Sequence, residues 1–596
     1  MSSHARLPVA AALLALLCAL TLGVAQAGAV DAEVEPPLNP NEERPSFVVI
    51  QTDDQTLDGL YATFSAYPGA PNTRSMPNTL DLIAGRGMTF NRYYVPYPLC
   101  CPSRVSLLTG RYSHNNGVKG NVQPNGGYFG FSFRAAASHN IATWLQGAGY
   151  RTIHIGKFLN GYGDEPYDNG TSVPPGWDAW HTVLKADTNH FYYGYTMNEN
   201  GVLSPPYGES GTWEPREYGI RDEFGCPFEP IERPCLYATD VFNWMAREEM
   251  LGTSPEQPFY LQLDYTAPHG DFRRPAGPEP AIRHYDWFKG MHHPHDRSEG
   301  FDEGNVTDKP HFIREADHLT PNEKRTYRVY YQKQLESLRA VDDGIKLVLD
   351  TLGQLQRLRN TYVIFTSDNG FFFGEHRLLG GKFLAYEPAT HLPFLIRGPG
   401  IEPGSSTGEL AANIDVAPTI LELAGVEADK SLDGRSLVPF LRDPELRSRR
   451  PILFESFVET SDVEAQGQIS RATRRAGDAT ASLLAPPKDY AGIRLGPYKY
   501  IAWPSGEKEL YNINKDPNEL NNIAKVPNFY PIRNFLHRQM KRFIDCGGRE
   551  CREVTPELPL TRIEFQRLQA KKQKELRERE REREKERREK ERDRNR

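Results

Sequence analysis

Long apolar runs are scarce in this chain of 596 residues. One occupies residues 7–24, and every later stretch is too polar to cross a bilayer core, which takes about 20 predominantly apolar residues. The run follows a basic residue and ends in the small-residue stretch Ala25-Gln26-Ala27, so it reads as a secretory signal cleaved after Ala27. Stable membrane insertion is therefore not expected. The chain should be secreted to the extracellular space or cell wall, with a lysosome or vacuole as the other destination. Cysteine is also sparse, at seven residues. With Cys18 gone in the signal, Cys226 with Cys235 and Cys546 with Cys551 are spaced as local disulfide loops, which leaves Cys100 and Cys101 over. Excess positive charge is missing too. The net charge is −7, and residues 571–596 contribute +5 of it, so the remainder carries −12. Nothing global attracts nucleic acid or another polyanion, and an anionic substrate has to be gripped by local cations.

An apolar content of 38% is ample for one large core plus an appended subdomain, and it excludes the disordered and collagen-like classes. Four short apolar runs each end abruptly in polar residues. Phe47-Val48-Val49-Ile50 leads to Asp53-Asp54, and residues 150–155 lead to Gly156-Lys157. Residues 259–263 lead to Ala267-Pro268-His269, and Tyr362-Val363-Ile364-Phe365 leads to Asp368-Asn369-Gly370. Continuous runs of this length read as strands buried on both faces. Helical patterns at 79–85, 142–149, 239–250 and 323–352 lie between them. The alternation predicts an α/β domain with a mostly parallel sheet, whose ligands bind beyond the carboxyl ends of the strands. Asp53, Asp54, Lys157, His269, Asp368 and Asn369 should then share one rim with Cys100.

Cys100 opens the stretch Cys100-Cys101-Pro102-Ser103-Arg104, which continues to Leu108-Thr109-Gly110-Arg111. Proline just ahead of an apolar-periodic run suits the first turn of a helix, and an oxyanion docked there would meet unpaired N–H groups. A cysteine phosphatase needs arginine six places after its sulfur, and those places hold Ser106 and Leu107. Cys-x-Pro-Ser-Arg followed by Leu-Thr-Gly-Arg instead resembles the signature of the sulfatases.

That resemblance implies an alkaline-phosphatase-like fold with a smaller C-terminal subdomain built on an antiparallel sheet and a helix. Composition and charge divide the chain into a signal (1–27), a Pro- and Glu-rich lead (28–44), a large domain (45–445) that the resemblance makes catalytic, a C-terminal subdomain (446–553) and a charged tail (554–596). The resemblance implies that Cys100 is oxidised to formylglycine by a formylglycine-generating enzyme, and that the hydrated aldehyde attacks the sulfur of a sulfate ester. Asp53, Asp54, Asp368 and Asn369 resemble the metal ligands, with the modified Cys100 completing the shell. This all-oxygen set suits calcium, with magnesium possible. Arg104 would steady the nucleophile, Lys157 and Lys382 would hold the sulfate, and His269 would be an acid or a sulfate-side group. Many sulfatases carry histidine two places after the first lysine. Here Leu159 and then Asn160 follow; Asn160 and His376 would bind substrate, and since an amide is no general base near neutral pH, His376 or a water would take the remaining proton. Gly-Lys-Phe-Leu-Asn, Pro174-Pro175-Gly176-Trp177 and the stretch ending in Gly398-Pro399-Gly400 resemble secreted arylsulfatases and the N-acetylglucosamine-6-sulfatase group. The expected substrate is accordingly a sulfated small molecule or glycan. Phosphomonoester or phosphonate hydrolysis and an inactive glycan-binding relative are the other classes.

His154, inside a strand run, reads as a buried hydrogen-bonded residue. The His292-His293-Pro294-His295-Asp296 cluster reads as a solvated segment. Sequons Asn169-Gly170-Thr171 and Asn305-Val306-Thr307 agree with a secretory glycoprotein. The tail, with its alternating charge, reads as a solvated helix or as disorder.

Overall fold

The computed structural model describes residues 44–65, 72–184, 192–204, 237–271, 277–457 and 489–594. The signal, nearly all of the lead, and the Cys226–Cys235 pair lie outside the described residues. The four apolar runs become strands β1 (Ser46–Thr52), β2 (Arg151–Gly156), β3 (Phe259–Asp264) and β4 (Thr361–Ser367). They lie side by side in the order β4-β1-β3-β2, all parallel, at the centre of a ten-stranded sheet. Strand Phe394–Arg397 joins β4 antiparallel, which makes the sheet mixed.

Helices cover both faces, and this is why the strands are apolar throughout. They include α1 (Cys100–Thr109), α2 (Ala238–Leu251) and α3 (Pro321–Gln354). Successive side chains of a strand point to opposite faces. Val48 and Ile50 of β1 thus pack with Val241 of α2 and with Leu335, Leu338, Val341, Ile345 and Val348 of α3. Phe47 and Val49 belong to the other core, with Val105, Leu107 and Leu108 of α1. The long helix α3 begins at a capping box. Thr320 Oγ1 accepts from the Glu323 amide (3.2 Å), while Glu323 Oε2 accepts from the Thr320 amide (2.8 Å).

A separate antiparallel sheet follows, with strands β5 (Ile452–Ser456), β6 (Tyr490–Leu495), β7 (Tyr498–Ala502) and β8 (Lys508–Asn512) in sequence order. Between β6 and β7 the chain folds back at Gly496-Pro497. Gly496 has φ 55°, the left-handed region that favours glycine. Helix Tyr530–Phe543 contributes Ile532, Phe535, Leu536, Met540 and Phe543 to the core of this sheet, and Cys546 and Cys551 form the expected disulfide. The tail is a helix, α4 (Arg562–Arg594), with exposed side chains through residue 592.

Two histidine expectations part ways. His154 is buried between Thr182 Oγ1 (2.7 Å) and Asp264 Oδ2 (3.2 Å), as its place in a strand suggests. His293 is buried, not solvated. Its ring lies against Phe373 (4.8 Å between centroids) and Tyr331 (4.3 Å), a contact that local polarity in the sequence hides.

Candidate active site

Most of the candidates arrive at the rim from a strand end or a helix start, while Lys382 comes from the loop after β4. Asp53 and Asp54 follow β1, and the left-handed backbone of Asp54 (φ 65°) turns the chain sharply there. Lys157 follows β2 directly. Gly156, at φ 107°, admits no other residue, because a Cβ would stand 1.9 Å from the Asp264 carbonyl oxygen on the neighbouring strand. Asp368 and Asn369 follow β4, and Cys100 is the first residue of α1.

The side chains meet. One ligand atom each from Asp53, Asp54, Cys100 and His269 falls within 4.8 Å of the others. Cys100 Sγ is 3.8 Å from Asp53 Oδ1, 4.0 Å from Lys157 Nζ and 2.9 Å from Lys382 Nζ. Lys157 also donates to Asp53 and Lys382 to Asp54. Arg104 reaches Asp368 Oδ2 through Nε (2.9 Å) and Asp53 Oδ2 through Nη2 (3.3 Å). Asn369 Nδ2 donates to Asp54 Oδ1 (2.6 Å), and His269 Nε2 stands 3.6 Å from Asp54 Oδ2. All of these residues are buried.

Burial and neighbours set the protonation states. Burial alone would raise the Asp53 carboxyl, but Lys157, His269, Arg104 and Lys382 outweigh it and hold Asp53 well below the carboxylate range. Asp368 is pushed up to about 6 by burial and by the Asp53 charge. Burial pushes the Cys100 thiol up to about 12 despite the two lysines. A thiol kept neutral is a weak nucleophile, so unmodified Cys100 is not poised to attack. His269 is lowered, by burial first, against the pull of Asp54 and Asp53.

Of two further expected participants, Asn160 is held through its backbone, with its side-chain Oδ1 buried and without a hydrogen-bond partner, and His376 is held elsewhere. The Asn160 amide N–H points at Cys101 Sγ (3.2 Å), and the Asn160 carbonyl accepts from Tyr128. The ring of His376 is engaged by Glu303 Oε2 (2.7 Å) and packs on Tyr386. Leu159 is buried in the apolar core on the α1 face of the sheet, so the position two places after Lys157 does not face the rim. The first-turn N–H groups of α1 are also partly spoken for. That of Cys101 goes to Asn121 Oδ1 (3.0 Å) and that of Ser103 to the Leu99 carbonyl (2.9 Å).

Sequence reasoning missed Asp264 and Ser103. Asp264 links His154 to Arg104, whose Nη1 is 3.7 Å away. Ser103 Oγ donates to the Asp368 carbonyl, and Asn413 holds Ser103 in turn (3.0 Å). Asp264 did carry a signal, since it ends a buried strand as Asp53 and Asp368 do. Asn413, 310 residues from Ser103, carried none.

A family model for sulfatases matches residues 45–426. The chain belongs to the sulfatase family. This sulfatase is 32% identical over 539 residues to an arylsulfatase of Volvox carteri, covering 85% of this chain and 76% of that one. It is 30% identical to a human N-acetylglucosamine-6-sulfatase, covering 85% and 86%. An extracellular sulfatase SULF-1 homolog of Drosophila melanogaster is 31% identical over 454 residues, and the chain spans 36% of that relative's length. Among solved structures, one determined in complex with its substrate D-glucosamine-2-N,6-O-disulfate superimposes with a TM-score of 0.63. It is 24% identical and covers 86% of this chain and 98% of its own, a likeness of fold.

Proposed function

We propose that this sulfatase hydrolyses sulfate monoesters to an alcohol or phenol and inorganic sulfate, with Cys100 as the precursor of its nucleophile. The observation that carries the reading is the meeting of Asp53, Asp54, Cys100 and His269 within 4.8 Å, flanked by Lys157, Lys382 and Arg104. Oxidised to formylglycine, Cys100 would supply the attacking oxygen from a hydrated aldehyde. Asp53, Asp54, Asp368 and Asn369 fit a hard divalent cation. The donor set is all oxygen, and Asn369 Oδ1 is buried with no hydrogen-bond partner, as a ligand atom would be. Calcium suits this set, with magnesium as the other choice. When bound, such an ion would polarise the oxygens of the ester.

The chain's own groups supply the remainder. Burial alone would lower Lys157 and Lys382, but Asp53 and Asp54 respectively lead the charges that outweigh it and hold both above the usual lysine range, so both are ammonium groups able to hold sulfate oxygens by charge-assisted hydrogen bonds. Arg104, between Asp368 and Asp53, fixes the two carboxylates relative to Cys100. The Nδ1 of His269 lies 2.8 Å from the Gly270 carbonyl and donates to it, which leaves Nε2 as the position where a proton is gained and passed to the leaving oxygen. With Leu159 in the core and His376 tied to Glu303, water takes the last proton in this scheme.

We assign an aryl sulfate as the first substrate class, supported by the Volvox relative. The second reading, N-acetylglucosamine 6-sulfate, is supported by the human relative over the same share of the chain. The full chain, supplied with calcium and shown by mass spectrometry to carry formylglycine at position 100, should turn over one of these sulfates at least ~10-fold faster than an aryl phosphate. Faster phosphate turnover would make it a phosphohydrolase, and no turnover of any ester would make it a binding protein. The ratio of aryl to sugar sulfate turnover decides between the two substrate classes.

A further inference from the structure

The two sequons fold alike but sit in different surroundings. In each, the asparagine Oδ1 accepts from the amide and the hydroxyl of the threonine two places on, at 3.1 and 2.7 Å for Asn169 and 3.2 and 2.7 Å for Asn305. Behind Asn305 the neighbours are charged and paired, with Lys309 bound to Glu303 and Asp308. Around Asn169 they are apolar and exposed. Tyr167, two places before it, is 52% exposed, and its ring meets that of Phe129 edge to face at 4.9 Å. Phe129 in turn lies 4.7 Å from Phe133, which is 72% exposed. On the other side Gly170 backs onto Leu184 and Leu203, and Leu203 with its neighbour Val202 is exposed as well.

The turn that presents Asn169 is rigid. Asp168, buried beside it, accepts from the Gly163 amide (2.7 Å), the Gly170 amide (3.2 Å) and Ser172 Oγ (2.7 Å). Gly170 takes φ 81°, and Asn169 and Thr171 are left on the surface. A cluster of exposed aromatic and aliphatic groups marks a surface with a partner. The asparagine at its centre stands in a glycan acceptor sequence, and a β-linked N-acetylglucosamine offers a face of C–H bonds suited to the electron-rich face of an aromatic ring.

We propose that Asn169 is an N-glycosylation site and that Tyr167, extended by Phe129 and Phe133, is the platform on which the first N-acetylglucosamine packs. In forming the link, Asn169 Nδ2 loses a proton and bonds to C1 of an oligosaccharide. The C1–O bond to its lipid diphosphate carrier breaks, and the lipid diphosphate leaves. Nothing in this inference depends on the reaction assigned to the rim.

The test uses the full chain secreted from a eukaryotic host that adds oligomannose glycans. Mass spectrometry should find Asn169 occupied. Trimming the glycan to its first sugar should leave Tm unchanged, whereas Asn169→Gln should lower it by roughly 1–2 °C. That drop should persist in a Tyr167→Phe background and vanish in Tyr167→Ala, the coupling expected of groups in contact. Asn305→Gln should leave Tm where it is. An unoccupied Asn169, or an equal drop with and without the Tyr167 ring, overturns the proposal. A several-fold rise in KM for a sulfate ester on Tyr167→Ala, with no effect of the glycan on Tm, also overturns it by giving the platform to the substrate.

Discussion

Lys499 in the antiparallel sheet and Lys382 at the rim are both buried lysines, and they are partnered differently. Lys499 donates to the Ala385 carbonyl (2.8 Å) and is ion-paired with two carboxylates, Glu387 Oε1 (2.6 Å) and Glu519 Oε1 (2.9 Å). Nearby Glu509 is saturated by the Tyr386 and Tyr511 hydroxyls and by Trp503 Nε1 (2.6 Å). Lys382 has Asp54 and, as its other partner, a thiol sulfur, which is a weak acceptor. Beside it Asn369 Oδ1 has no partner and Asp368 is raised to about 6. Equal burial therefore serves opposite ends. A charge cluster completed by its own neighbours holds the chain together, while one left short of good partners is arranged around something that arrives.

The sharpest way to break that contrast is at the sulfur. Cys100→Ala should cut turnover by about 10³-fold or more while leaving Tm near wild type, the signature of a lost nucleophile. Cys101→Ala should cost far less, since Cys101 faces the Asn160 amide and not the lysines. Comparable losses would mean that the wrong sulfur has been assigned. Lys382→Met comes next. It should lower kcat/KM by about 10²–10³, as removal of a buried donor to a developing anion does, with Tm unchanged or higher. The matching change in the sheet, Lys499→Met, should do the reverse. It strands Glu387 and Glu519 and should destabilise the fold by about 3–5 kcal/mol, with normal turnover in the molecules that remain folded. If Lys382→Met unfolds the protein and Lys499→Met does not, the division drawn above is wrong.

How far the rim was legible beforehand follows from what places each group. Asp53, Lys157 and Asp368 stand at the ends of buried strands, so the apolar run and its abrupt polar end announced both the strand and the side chain beyond it. The parallel centre of the sheet was legible for the same reason. The direction of His376 was not legible, because motif spacing says nothing of direction. His376 has left-handed backbone (φ 55°), and its ring meets Glu303. His293 was hidden by polar neighbours in sequence that are not its neighbours in space.

Removing divalent ions should sharpen the comparison further. Chelation should stop turnover and lower Tm by a few degrees, and calcium should restore both, because a ligand that binds the folded state stabilises it by mass action. The same treatment applied to Lys499→Met should lower its Tm by the same increment, since the two clusters share no partner in the contacts described above. Unequal increments would show that the clusters are coupled.

The smallest effect comes from Glu509, and its sign is fixed. Burial raises its carboxyl from the ordinary 4.5 to about 7, against the hydrogen bonds from Tyr511, Trp503 and Tyr386. The folded chain therefore holds a proton there that the unfolded chain releases between those two values. The stability this group contributes is fully present below pH 4.5, declines as pH rises toward 7 and is level above that. The slope in that window is at most about 1.4 kcal/mol per pH unit. Glu509→Gln is neutral at every pH, so its stability relative to wild type should climb from pH 4.5 to 7 and then flatten, with turnover unaffected. Denaturant titrations of both proteins across that range measure it, and parallel curves would mean that Glu509 is already ionised in the folded sheet.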